Sequence, residues 1–82
     1  MDLAHQIDSD LHRVFLENVK ARRQELDLTQ SEVAEIMGVA QPTYAHIESG
    51  RNIPTLGIVE RVAKALRTSS LQLLFPQALT AR

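Results

Sequence analysis

Apolar residues in the first quarter of the chain recur at three- and four-residue spacing: Leu3, Ile7, Leu11, Val14, Phe15 and Val19. That period marks one stripe of an amphipathic helix. Asp8, Ser9 and Asp10 each offer a capping side chain, so the helix starts either at residue 3 or near residue 10. Arg22 and Arg23 fall in its last turns, where cations suit the helix dipole. Leu26-Asp27-Leu28 breaks the run. Thr29-Gln30-Ser31-Glu32 then spells a capping box, and a second helix follows with Val33, Ala34 and Met37 facing inward. Gly38 stops it, since glycine accepts the positive φ of a sharp turn. A third helix is expected over residues 41–49, with Pro42 tolerated in its first turn, ending at Ser49-Gly50. Arg51 to Pro54 read as a loop. Thr55 caps a fourth helix with the stripe Leu56, Val59, Val62, Ala63 and Leu66, and Glu60 pairs with Lys64 on its outer face. Thr68-Ser69-Ser70 opens a short fifth helix carrying Leu71, Leu74 and Phe75, and Pro76 ends it. No strand-like alternation competes. The pattern predicts an all-α fold, a compact five-helix bundle in one domain.

Composition narrows this further. With 82 residues the core must be economical, and with no cysteine there is no disulfide, thiolate metal site or cysteine nucleophile. No basic-then-apolar leader opens the chain, and no apolar run nears the ~20 residues that span a bilayer. A cytoplasmic protein with no membrane role is expected. The net charge of −1 gives nucleic-acid binding no help in bulk. Its distribution matters more: residues 1–48 hold nine of the ten acids, whereas residues 49–82 hold five of the nine basic residues and one acid, Glu60. Any positive potential is local, and binding depends on individual contacts.

Two short helices joined through Gly38 match the description of a helix-turn-helix. On a helical wheel of the third helix, Tyr44 and Ile47 point inward, while Pro42, Ala45, His46 and Ser49 point out and Gln41 stands at the exposed first turn. Small or hydrogen-bonding side chains presented amino terminus first suit a major groove. An ordinary surface helix carries lysine and glutamate there.

The segment TQSEVAEIMGVAQPTYAHIESGRNIP resembles the core of the Cro/CI-type (XRE) helix-turn-helix family, the lambda repressor-like DNA-binding domain of phage repressors. The resemblance runs over residues 14–75. It leaves residues 1–13 as an extension of the first helix and residues 76–82 as a tail. Arg23, Gln30, Val33-Ala34, Gly38, Ile47-Glu48, Gly50, Pro54 and Ala63-Lys64-Ala65-Leu66 carry it.

The resemblance implies base reading by Gln41, with Pro42, Ala45 and His46 at the other groove-facing positions. A glutamine amide can bond adenine bidentately, and Pro42 and Ala45 offer apolar contact to a thymine methyl. It implies phosphate contacts from Gln30, Thr43, Arg51 and Asn52, and an ion pair between Arg23 and Glu48 that ties the first helix to the third. Two positions depart from the family pattern: Ala40 stands where a serine or threonine usually caps the third helix, and Arg67 where glycine usually follows the fourth.

The function implied is a sequence-specific transcriptional regulator of bacterial or phage origin, a repressor or autoregulator without enzymatic activity. Its partner is double-stranded DNA, a palindromic operator read by a homodimer, with Leu71, Leu74 and Phe75 as interface candidates. With only a short tail expected after the fifth helix, regulation would come from concentration, dimerisation or another protein. An antitoxin that binds a toxin and autoregulates its operon is the alternative; residues 1–13 could dock such a partner, extend a dimer or, as the simplest reading, only lengthen the first helix. The sequence calls for no cofactor and no metal. His5, Asp8 and His12 share a helical face at metal-ligand spacing, but on a helix terminus without a pocket.

Overall fold

The first helix, α1, runs unbroken over Leu3–Glu25, so the earlier of its two possible starts is the one used. The computed structural model describes residues 3–76, with side chains from residue 10 onward. Asp27 ends the helical path by turning left-handed at φ 61°, a conformation aspartate tolerates better than most residues. The Leu28 amide then closes the turn on the Arg23 carbonyl at 3.1 Å.

Helix α2 covers Gln30–Met37. Its capping box is complete: the Glu32 amide donates to Thr29 Oγ1 at 3.0 Å, and the Thr29 amide donates to Glu32 Oε1 at 2.8 Å. Gly38 follows at φ 75°. Helix α3 covers Gln41–Ser49, and Ala40 gives it no side-chain cap. Helix α4 covers Leu56–Ala65, where Thr55 Oγ1 accepts from the Ile58 amide. Helix α5 is a single turn, Ser70–Leu74, capped by Ser69. Glu60 and Lys64 are exposed but make no ion pair among the described residues. A solvated i,i+4 pair gains only tenths of a kcal/mol, so nothing holds the two chains together.

The core gathers Phe15 and Val19 from α1, Val33 from α2, Tyr44 from α3, Val62 from α4, and Leu66 and Leu73 near α5. Leu73 is the buried residue of α5. Leu71 and Phe75 stay exposed and Leu74 is half-buried, because one short turn has room for only one inward side chain.

Three polar side chains close helix ends whose carbonyls lack partners. Asn18, buried on α1, donates from Nδ2 to the carbonyls of Leu73 and Phe75, both at 2.8 Å. Arg22 donates to the carbonyls of Leu66 and Arg67 at 2.8 and 2.9 Å. Arg61 donates to the Met37 carbonyl at 2.8 Å, fixing α4 to the end of α2. The α2–turn–α3 unit thus rests on a frame of α1, α4 and α5.

Candidate DNA-reading surface

The orientation of α3 starts from a buried carboxylate. Glu48 is only 2% exposed, near the carboxyl end of α3. Three donors converge on it. Arg23 of α1 donates from Nε to Oε2 at 2.6 Å and from Nη2 to Oε1 at 3.1 Å, a two-pronged ion pair. The Tyr44 hydroxyl donates to Oε2 at 2.7 Å, and Gln30 Nε2 donates to Oε1 at 2.9 Å. Arg23 also donates from Nη1 to the Leu28 carbonyl at 2.9 Å. One carboxylate therefore links α1, the start of α2 and α3.

Charge follows geometry. Burial opposes ionisation of Glu48, but the bonds from Arg23, Gln30 and Tyr44 outweigh it and hold the carboxyl below its ordinary range. Burial and the Glu48 carboxylate push the Tyr44 hydroxyl far up, so it stays a donor. Its bond with Glu48 raises the Arg23 guanidinium further.

The helical wheel pointed Tyr44 into the core, and the family resemblance implied a phosphate contact for Gln30. The network that includes both was not visible in either. The signal was there: a tyrosine four residues before a glutamate on one helix brings hydroxyl and carboxylate together. Gln30 is half-buried and spends one amide N–H on Glu48. The amide carries two, so one remains for an outside acceptor.

With Tyr44 and Glu48 turned inward, α3 presents Gln41, Pro42, Thr43 and His46 to solvent, while Ala45 is half-buried beside them. No Asp, Glu, Lys or Arg stands among those five. Arg51 and Asn52 are exposed on the loop after Gly50. Arg51 reaches back to α3, with Nη1 3.3 Å from His46 Nε2. Arginine only donates, so a hydrogen bond at this contact needs the ring nitrogen as its acceptor. Thr43, His46 and Asn52 line one open groove with Thr55, so helix and loop form a continuous surface. Among the predicted groups, the structure joins Arg23 to Glu48 and His46 to Arg51. Gln41 makes no side-chain bond within the described residues, which leaves its amide available.

Among the described residues no group of three His, Cys, Asp or Glu side chains is placed to hold a metal ion. The His5 and Asp8 side chains lie outside the described set. No helix of the described residues is long and apolar enough to cross a membrane.

A two-helix unit with a braced second helix and an uncharged, hydrogen-bonding outer face defines a DNA-binding regulator. The chain belongs to the helix-turn-helix family, whose model matches residues 19–73. It is 39% identical over 57 residues to an uncharacterised HTH-type transcriptional regulator of Methanothermobacter thermautotrophicus, covering 70% of this chain and 83% of that protein. It is 41% identical over 51 residues to the cryptic phage CTXphi transcriptional repressor RstR of Vibrio cholerae, covering 62% of this chain and 46% of the repressor. Among solved structures, a hypothetical transcription factor from Neisseria superposes with a TM-score of 0.81 at 27% identity, over 92% of this chain and 88% of the other.

Proposed function

We propose that this chain is a repressor that binds a palindromic operator as a homodimer and reads it with α3 in the major groove. The observation that carries this reading is the exposed face of α3, held outward by the buried Glu48 network. Gln41 at the first turn reads a base through its amide; Pro42 and Ala45 make apolar contacts, and His46 offers a ring nitrogen. Gln30, through its second amide N–H, and Thr43, Arg51 and Asn52 contact phosphate and set register. Two copies are required because one such helix reads too few bases to specify a site. The α5 residues Leu71, Leu74 and Phe75 belong to the surface where they meet. Both curated relatives carry the names of regulators, one of them a repressor, which favours this reading over the antitoxin one. The role proposed is binding without catalysis, in the compartment that holds the DNA.

The test is titration of the protein, by fluorescence anisotropy, against labelled duplexes spanning the DNA upstream of its own gene. The reading expects one stretch bound about a thousandfold or more tighter than scrambled duplex at the same salt. Equal affinity for every sequence would contradict it.

A further inference from the structure

His46 and Arg51 are both proposed to meet DNA, and in the structure they meet each other. Arg51 Nη1 lies 3.3 Å from His46 Nε2 at the carboxyl end of α3. Both side chains are exposed, so packing does not force the contact. Among the described residues no ion pair engages Arg51. The groove that His46 lines with the loop and α4 holds no other ionisable side chain; its polar members are Thr43, Asn52 and Thr55. Glu48, the one acid of α3, is committed to Arg23. From α1, His12 approaches the start of the loop, with Cε1 3.8 Å from where a Gly50 Cβ would lie.

The chemistry of this pair is conditional. Arginine only donates, so the contact is a hydrogen bond only while His46 Nε2 holds no proton. A protonated imidazole has two donors and no acceptor, and it would face the guanidinium as a second cation. Histidine is the side chain that ordinarily changes charge between pH 5 and 8. Arg13, Arg22, Arg23 and Arg61 instead donate to carboxylate or carbonyl oxygens, which remain acceptors over that range.

We propose that His46 is a positioning residue for Arg51: without a proton on Nε2 it holds the guanidinium against α3, and on taking up a proton it releases Arg51 to DNA phosphate. Its effect on binding rests on the DNA-reading role proposed above. The sign follows from what must break. Arg51 leaves His46 before it grips a phosphate, and the negative backbone favours the added positive charge. The DNA-bound form therefore takes up protons, and affinity rises as pH falls through the histidine range. A hydrogen bond between exposed groups is worth a factor of about three, so a dimer would gain about tenfold.

The test follows the pair with and without DNA. On the protein alone, nuclear magnetic resonance from pH 5.5 to 8 would track the side-chain carbon signals of Arg51 and the ring signals of His46. The proposal expects the Arg51 signals to shift with the His46 midpoint. They should stay put in His46→Gln, which keeps an acceptor that does not titrate. Anisotropy titrations of labelled duplex at constant salt would then compare wild type, His46→Gln and Arg51→Ala at pH 5.5 and 8, with circular dichroism melts to confirm folding. Wild type should bind about tenfold tighter at pH 5.5, His46→Gln equally at both, and Arg51→Ala should lose most of the gain. Any of three outcomes would overturn the proposal: Arg51 signals indifferent to the His46 titration, a gain kept in full by either variant, or tighter binding by wild type at pH 8. Coupled titration of the two residues in a chain that prefers no duplex would instead sink the operator reading and leave the His46 latch standing.

Discussion

Glu48 keeps its charge where water cannot reach it, and three donors from three elements keep that charge stable. Removing the carboxylate strands Arg23, whose side chain is only 16% exposed, at a cost of about 3 kcal/mol. Because the folded Glu48 carboxyl titrates below its ordinary 4.5, its stabilisation is present above that pH and is lost as pH falls through the lower folded value. Urea melts of wild type and Glu48→Gln should therefore differ most near pH 7 and converge as the pH drops below 4.5; a gap constant with pH would contradict the assignment. Arg51, proposed to contact phosphate, belongs to the same scale. Arg51→Ala should weaken specific and non-specific duplexes alike and reduce the salt slope by about one, which titrations at several salt concentrations would detect. The Arg23–Glu48 pair followed from family resemblance. Tyr44 and Gln30 as its further partners did not, because a wheel gives direction and not the reach of a hydroxyl or an amide.

Helix ends decide how the elements meet. Gly50 takes φ 78°, and a Cβ there would lie 2.7 Å from Leu16 Cδ1, so Gly50→Ala meets both a left-handed backbone and a side chain that must move. Chemical denaturation should show a loss of about 2 kcal/mol. Arg67 gives the opposite case. It occupies the left-handed region at φ 57° with a side chain that disfavours it, while Arg22 bonds its carbonyl. Arg67→Gly keeps that bond and relieves the backbone, so it should raise stability by about 0.5–1 kcal/mol; a loss would mean that the arginine side chain contributes packing instead. Threonine caps made the starts of α2 and α4 legible from sequence, and glycine stops the ends of α2 and α3, since each depends on residues adjacent in the chain. The inward residue of α5 was not legible. Leu71, Leu73 and Leu74 are equivalent by pattern, and only the approach of α1 through Asn18 turns Leu73 to the core.

At the scale of the whole molecule, the frame of α1, α4 and α5 separates two surfaces. One is the polar outer side of α3 with its following loop, and the other is the apolar cleft rimmed by Leu11, Ile53, Leu56 and Leu74. The first was visible in the sequence because it lies within one helix. The second joins residues from α1, the α3–α4 loop, α4 and α5, so only the folded chain assembles it. Near-neutral charge makes bulk attraction weak, so the proposed selectivity rests on contacts between α3 and bases. The measurement that tests this most directly is a titration of wild type and Gln41→Ala against operator duplexes with each base pair substituted in turn. The account predicts a loss of about 1–3 kcal/mol for Gln41→Ala on the intact operator, with discrimination lost at a single position in each half-site and retained elsewhere. Equal weakening on every duplex, with discrimination unchanged at all positions, would show that α3 does not read bases through its first turn.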